Sequence, residues 1–204
     1  MMPESLREET VNVLRKKNVD VRLSTQVMDY DGEKLTLKSG EIVPTNTVIW
    51  AAGVKAVPVI AKLGAETDRA GRVIVRKNLQ VPGCEDVFAI GDSAHFLQGE
   101  RPLATIAPVA THEAEVCAKN ILHAIKGESM EAFTYHDVGS MATIGCGDAV
   151  MAKGILKGKG FVAWSAWLWV HLIRLAGTHA NTTVTLKWIW NYLGGTRLGR
   201  IITQ

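Results

Sequence analysis

The feature that most limits the fold is a short apolar run, residues 87–90, that leads directly into Gly91-Asp92. We expect a buried strand over residues 87–90 and a long helix over residues 106–125. Further helices are predicted over residues 3–17, 57–63 and 160–175. Further strands are predicted over residues 19–23, 73–75, 133–137, 141–144 and 149–152, with a hairpin of residues 34–38 and 41–43. Strands mixed with long helices are typical of α/β folds, which we predict for residues 1–150. Because ligands in open α/β sheets bind beyond the carboxyl ends of the strands, Asp92 is a candidate to accept hydrogen bonds from sugar or ribityl hydroxyls. The alternative is a Gly-Asp turn with a solvated carboxylate.

Two other segments offer backbone to a ligand. Ala107, Pro108 and Val109 begin the long helix, and the free N–H groups of a helix start favour an electron-rich group. A predicted strand over residues 47–50 runs into Ala52 and Gly53, which are small enough to pass close to a cofactor. The alternatives are an ordinary helix start and a strand that joins two domains.

His112 lies one helical turn after Pro108 and therefore on the same helix face. The six histidines show no HxxxH or HExxH spacing, and the three cysteines are widely separated. We therefore expect no metal site and no disulfide framework.

The last part of the chain, residues 151–204, contains no Asp or Glu. Its cations are Lys153, Lys157, Lys159, Arg174, Lys187, Arg197 and Arg200, and its tryptophans are Trp164, Trp167, Trp169, Trp188 and Trp190. Trp with flanking cations is typical of a membrane surface. The apolar run over residues 161–173 is shorter than the roughly 20 residues that a spanning helix needs, so it is either interfacial or an ordinary core helix.

After a break at residues 177–181, a second helix with the same character is predicted over residues 183–193. The two helices together form an apolar platform that suits a membrane or a homodimer interface. The net charge of +3 is concentrated in this region, so the rest of the chain is acidic and a nucleic-acid partner is not expected. The N-terminus lacks the apolar region of a signal peptide.

Five segments follow one another along the chain, namely TVIWAAG, DVFAIGD, APVA, YHDVGSMATIG and GFVAWSAWLWVHLIRLAG. In this order they resemble the type II NADH:quinone oxidoreductases, which are single-subunit, FAD-containing, membrane-peripheral NADH dehydrogenases. The resemblance covers nearly the whole chain but only the C-terminal half of that family. It implies part of a two-dinucleotide-binding-domain α/β flavoprotein fold that ends in a pair of amphipathic membrane-docking helices.

The resemblance also implies roles. Gly91 and Asp92 would contact the ribityl or pyrophosphate part of FAD, and residues 107–109 would present backbone to the isoalloxazine ring. Residues 1–53 would be the end of an NADH-binding domain, residues 54–150 the end of an FAD-binding domain, and residues 151–204 the docking region. The intact enzyme would pass electrons from NADH through FAD to a membrane quinone, on the cytoplasmic face of the inner (plasma) membrane of a bacterium.

Departures from the family pattern matter. An AQxxxQ pattern near the quinone is replaced by positions Pro108 and His112, so His112 becomes a hypothetical contact to a quinone carbonyl. Neither glycine-rich fingerprint of the family is present, because Gly145-Cys146-Gly147 and Gly158-Lys159-Gly160 lack the third glycine. We therefore expect a fragment or truncated product that binds neither cofactor well alone. The alternatives are a related sulfide:quinone-type flavoprotein and a non-catalytic, membrane-binding or dimerising remnant.

Overall fold

The structure is a computed structural model that describes residues 2–174, 182–188 and 190. Its long helices are α1 (Glu4–Lys16), α2 (Ala107–Lys126) and α3 (Gly160–Ile173). Glu4 in the first turn of α1 and Arg15 and Lys16 in its last turn complement the helix dipole. Helix α2 ends at Gly127, whose left-handed φ of 71° closes the helix. Residues 182–188 are also helical.

The strands of the described residues are short. Nine precede α2: β1 (Val27–Tyr30), β2 (Lys34–Leu37), β3 (Ile42–Pro44), β4 (Val73–Ile74), β5 (Gln80–Val81), β6 (Cys84–Phe88), β7 (Ala94–His95), β8 (Leu97–Gln98) and β9 (Arg101–Pro102). Three follow it: β10 (Ser140–Gly145), β11 (Asp148–Lys153) and β12 (Leu156–Lys159).

The first compact unit comprises residues 26–138. It contains an antiparallel β1-β2-β3 sheet, the β5–β6 and β8–β9 hairpins, and one parallel pair between β4 and β7. One buried cluster includes Leu79, Phe96, Val109 and Phe133, so it joins α2 to the strands. A second cluster is built from Val73, Val81, Ala89 and Ala94. These clusters fix the segment from residue 89 to residue 96 beside the first turns of α2.

The second unit comprises residues 1–25 and 139–204. Its sheet has the antiparallel order β10-β11-β12. Helix α1 is joined to this sheet by polar contacts: Lys17 Nζ to Asp148 at 3.0 Å, Lys159 Nζ to Glu9 at 3.0 Å, and Lys157 Nζ to Ser5 Oγ at 3.4 Å. Helix α3 packs mainly against β11 and buries Ala163 completely.

Several predicted elements are confirmed, among them α1, α2, α3, the β2–β3 hairpin, β10 and β11. Three predicted strands are wrong: residues 19–23, 47–50 and 133–137 form no strand. A strand needs a neighbour to satisfy its backbone, and none of the described strands pairs with these segments. In residues 47–50 the apolar side chains are left in solvent, with Ile49 86% and Trp50 68% exposed, whereas Phe133 of the third segment packs in the core without a strand.

Other differences are smaller. The strand predicted over residues 87–90 is Cys84–Phe88, so it starts earlier and ends three residues before Gly91. It lies in a hairpin with β5 rather than in a parallel sheet. The helix predicted over residues 57–63 is a 3₁₀-helix, Pro58–Leu63.

The three regions expected from the sequence, residues 1–53, 54–150 and 151–204, stay predictions as domains, while residues 1–25 group with the C-terminal sheet in one compact unit. The functional roles expected for those three regions stay predictions. No helix within the described ranges has both the length and the apolar character needed to cross a bilayer. The predicted second docking helix lies partly outside the described residues, as does the break expected at residues 177–181.

Candidate functional site

Gly91 begins a single 3₁₀ turn, Gly91–Ser93, directly before β7. Its φ is +62°, a left-handed conformation that side chains rarely adopt. A Cβ at this position would stand 3.3 Å from the Cβ of Ala110 in α2. Glycine is therefore required here both by the turn and by the close approach of α2.

Glu113 holds this turn from α2. Its Oε2 accepts a hydrogen bond from the Gly91 N–H at 2.5 Å, and the residue is only 2% exposed. Burial raises the pKa of Glu113, although the bond from Gly91 partly opposes the rise. Burial and the nearby Glu113 charge also raise the pKa of the Cys117 thiol, one helical turn further along.

A small cavity lies beside Glu113, between residues 91–96 and the start of α2. Its volume of about 10 Å³ is enough for about one water molecule. The lining includes Gly91, Thr105, Ile106, Ala110 and Glu113. The site is thus tightly closed on the protein side, and a larger ligand has to approach from the exposed side of the turn.

The start of α2 has no side-chain cap. Pro108 has no N–H, and the Val109 N–H already donates to Ile106 O at 3.0 Å. Among the described residues none accepts a hydrogen bond from the Ala107 N–H, and Ala107 is exposed. Val109 itself is a core residue, 4% exposed, so only the Ala107 end of the predicted backbone contact is available.

Asp92 is exposed, and no described residue pairs with its carboxylate. It follows Gly91, so it lies at the same turn that α2 packs against. His112 is half-buried on α2, with its ring centroid 5.6 Å from that of Tyr135. The structure therefore brings Gly91, Asp92 and the first turns of α2 together.

Ala52 and Gly53 lie elsewhere. Both are exposed, and a Cβ added at Gly53 would meet nothing within 4 Å. None of the described contacts joins them to Gly91 or to α2. Their expected contact with a cofactor stays a prediction.

A polar cluster stabilises the strand that follows the turn. Asp68 Oδ2 lies 2.7 Å from Arg72 Nη2 and 2.9 Å from His95 Nδ1, and His95 belongs to β7. Burial alone would raise the pKa of Asp68. Hydrogen bonds from His95, Arg72 and the Ala70 backbone outweigh burial and hold the pKa well below its ordinary value. The cluster ties the turn at residues 68–72 to the strand behind Gly91 and Asp92.

Glu113 and Asp68 were not anticipated from the sequence. Val109, Glu113, Cys117 and Asn120 recur every three or four residues and are the buried residues of α2. A carboxylate in this apolar series was the available signal, because a buried charge needs a partner. The Asp68 cluster gave no comparable signal, since His95 is 27 positions away in sequence.

Residues 1–114 match the family described as pyridine nucleotide-disulphide oxidoreductase. Type II NADH:quinone oxidoreductase NdhA of Mycobacterium tuberculosis is 36% identical over 204 residues, which cover 94% of this chain and 43% of that protein. Ndh of the same organism is 33% identical and covers 98% of this chain and 44% of its own length. The Staphylococcus aureus protein of the same name is 33% identical over 170 residues, with shares of 78% and 40%. The chain thus spans about two fifths of the length of these relatives.

Among solved structures, NDH2 from Plasmodium falciparum in complex with NADH superposes with a TM-score of 0.84. The sequences are 16% identical, and the match covers 97% of this chain and 56% of that one. The α/β class is thereby confirmed. The relatives confirm the resemblance to type II NADH:quinone oxidoreductases that the five segments indicate.

Proposed function

Because the chain belongs to the pyridine nucleotide-disulphide oxidoreductase family, we propose that it forms the C-terminal part of an FAD-dependent NADH:quinone oxidoreductase. The protein would lie on the cytoplasmic face of a bacterial inner (plasma) membrane, where a quinone is its electron acceptor. The observation that carries this proposal is the packing of the Gly91–Asp92 turn against the first turns of α2, with Gly91 N–H bound to Glu113 at 2.5 Å.

This arrangement fits a flavin. Gly91 gives the turn its left-handed φ and lets α2 pack closely behind it, and the exposed carboxylate of Asp92 is available to accept hydrogen bonds from ribityl hydroxyls. The Ala107 N–H, at the positive end of α2, is available to an electron-rich ring carbonyl. When bound, FAD would supply two-electron redox chemistry that no side chain of this site supplies.

The remaining parts follow the same proposal. Residues 1–53 would complete an NADH-binding domain, and residues 54–150 an FAD-binding domain, with Ala52 and Gly53 at their junction. Both glycine-rich fingerprints are missing from the sequence, so the pyrophosphates of FAD and NADH have no cradle here. We therefore propose that the 204-residue chain alone does not bind either cofactor tightly.

His112 is the proposed contact on the quinone side. It lies one turn after Pro108 and half-buried beside Tyr135, so its ring is held while part of it stays accessible. An imidazole N–H in this position would donate a hydrogen bond to a quinone carbonyl.

Docking on a membrane is supported by α3. The helix packs on β11 on one side, yet Val162, Trp169 and Ile173 are each 65% to 70% exposed. Apolar residues therefore lie on both sides of α3, which is not the pattern of a water-exposed amphipathic helix. With Arg174 and Lys159 at its ends, the helix suits an interface of apolar chains and anionic head groups. A homodimer is the competing use of this face.

A chimaera tests the redox proposal. The chain would replace the matching 43% of M. tuberculosis NdhA, and bound flavin and NADH-dependent quinone reduction would be measured. Stoichiometric flavin and quinone reduction are expected, with Asp92→Ala lowering flavin content. Asp86→Ala, which changes an exposed carboxylate within β6, is the matched control. A folded chimaera without flavin would contradict the proposal.

His112→Ala in the same chimaera addresses the quinone contact. A rise in KM for quinone with unchanged flavin reduction by NADH is expected, because only the second half-reaction uses this residue. Unchanged quinone kinetics would remove His112 from the site. Flavin bound stoichiometrically by the 204-residue chain alone would contradict the proposed dependence on the missing fingerprints.

A further inference from the structure

The β11–β12 hairpin ends in a protruding apolar tip. Lys153 pairs with Leu156 at the last rung, and Gly154 and Ile155 form the turn. Ile155 is 96% exposed and Leu156 is 69% exposed. Burying either of these two adjacent aliphatic side chains would be energetically favourable, and this stabilisation is absent while they are in water.

The inner side of this hairpin is already occupied. Lys157 and Lys159 point to α1, where they contact Ser5 and Glu9. Because side chains alternate along a strand, Leu156 lies on the opposite face from Lys157. Helix α1 therefore does not cover Leu156 at the tip of the hairpin.

The charge around the tip restricts what can cover it. Lys153 is exposed, and no acidic residue occurs anywhere after Asp148. A second copy of this surface would bring cations against cations, which disfavours self-association. A protruding side chain also needs a matching pocket on a protein, whereas the interior of a bilayer adapts to its shape. Anionic head groups satisfy the cations, and acyl chains satisfy the aliphatic side chains.

We propose that the hairpin tip, residues 153–156, is a membrane contact separate from α3, which places Ile155 and Leu156 among acyl chains and Lys153 at anionic head groups. The inference rests on the membrane docking proposed above and adds an element to it. Since the tip and α3 are distinct elements of one compact unit, two contacts would restrain the orientation of this unit on the bilayer.

Vesicle co-sedimentation of the 204-residue chain tests this inference. Vesicles of phosphatidylcholine with phosphatidylglycerol are expected to bind the chain more tightly than phosphatidylcholine alone. Ile155→Asp should weaken binding by about ten- to hundredfold, because it removes one buried aliphatic side chain and adds a repelled charge. The matched control is Ile49→Asp, the same change at an 86% exposed position in the other unit, which should bind as the unchanged protein does.

A local probe gives a second measurement. Ile155→Cys, in a Cys146→Ser background that removes the exposed native thiol, would carry a polarity-sensitive fluorophore. A blue shift on addition of anionic vesicles is expected, and Ile49→Cys should show none. Circular dichroism of each variant in solution checks that the fold is retained, which the exposure of both positions favours.

The outcomes separate the proposals. Full vesicle binding by Ile155→Asp, together with loss of binding by Trp169→Asp, would overturn the hairpin contact and leave docking through α3. Absence of vesicle binding by the unchanged chain would overturn both, whereas the flavin content of the chimaera tests the redox proposal independently. A lipid-free dimer abolished by Ile155→Asp would show that a second copy covers the tip, and would overturn the lipid contact.

Discussion

The Glu113 carboxylate accepts the Gly91 N–H at 2.5 Å, which connects the second turn of α2 to a turn 22 residues earlier. The bond places an ionisable group, 2% exposed, behind the turn that is proposed to contact the flavin. The energetics of this buried group lead to the first prediction.

Glu113→Gln should change how stability depends on pH. Because the folded-state pKa is raised above its ordinary value of 4.5, the wild-type protein should lose stability as pH rises from about 4.5 through the raised pKa. Glutamine keeps an oxygen for the Gly91 N–H and has no charge to bury, so this loss should disappear. Urea unfolding across this pH range measures it, with Glu115→Gln on the exposed side of α2 as the control. Equal pH profiles for Glu113→Gln and the wild type would contradict the prediction.

Gly91→Ala should destabilise the protein more than Gly83→Ala. Both glycines have a positive φ, +62° and +83°, so each substitution costs roughly 1–2 kcal/mol of backbone strain. Only at Gly91 would the new Cβ press on Ala110, at 3.3 Å, whereas Gly83 has open space. An additional loss of about 1 kcal/mol is expected at Gly91 from this contact. The unfolding free energies of the two variants measure this difference. Equal losses of stability would mean that α2 moves away from the new Cβ without an energetic cost.

Asp68→Asn should lower the free energy of unfolding at neutral pH. It should also reduce the loss of stability that occurs in acid. The folded-state pKa of Asp68 is lowered, so its contribution is present above the ordinary value of 3.8 and is lost as pH falls below it. A loss of about 2–3 kcal/mol at pH 7 is expected, since the Arg72 and His95 partners lose a half-buried, charged hydrogen-bond acceptor. Asp86→Asn, at an exposed position, is the control. Denaturant unfolding should give different unfolding free energies for the two variants at pH 7 and similar values in acid.

Asn120→Ala should be among the most destabilising changes in α2. The side chain is fully buried, donates to Asn78 O at 3.0 Å and Glu131 O at 2.9 Å, and accepts from Glu131 N at 2.8 Å. Alanine leaves these backbone groups unpaired, at an expected cost of about 3 kcal/mol. Thermal unfolding of Asn120→Ala and of its exposed neighbour Lys119→Ala compares the two. A similar midpoint for both variants would show that water replaces the amide.

The sequence predicts the long helices well because their signals are local. Helix α2 shows Pro108 in its first turn, an apolar series and Gly127 after its last residue. The predicted strand at residues 47–50 failed because pairing is not a local property: Ile49 and Trp50 favour a strand, but no described strand lies beside them.

The candidate site was predicted in part for the same reason. Gly91, Asp92 and Ala107 are recognisable from residue type and position. The Glu113 bond and the Asp68 cluster join residues more than twenty positions apart, and they became visible only with the tertiary contacts. The apolar side chain of Val109 packs in the core, and the expected contact of its backbone with a ligand stays a prediction.

The unit made of residues 1–25 and 139–204 is discontinuous in sequence, whereas residues 26–138 are continuous. During synthesis the continuous unit can complete its contacts before the β10-β11-β12 sheet, which lies more than a hundred residues after α1, has been made. Bringing α1 to this sheet closes a long loop, and the entropy lost in closing it slows the step. The order of folding should therefore run from the middle of the chain to its two ends. Kinetic intermediates, where they accumulate, should contain the Gly91–Glu113 bond before the Lys159–Glu9 pair.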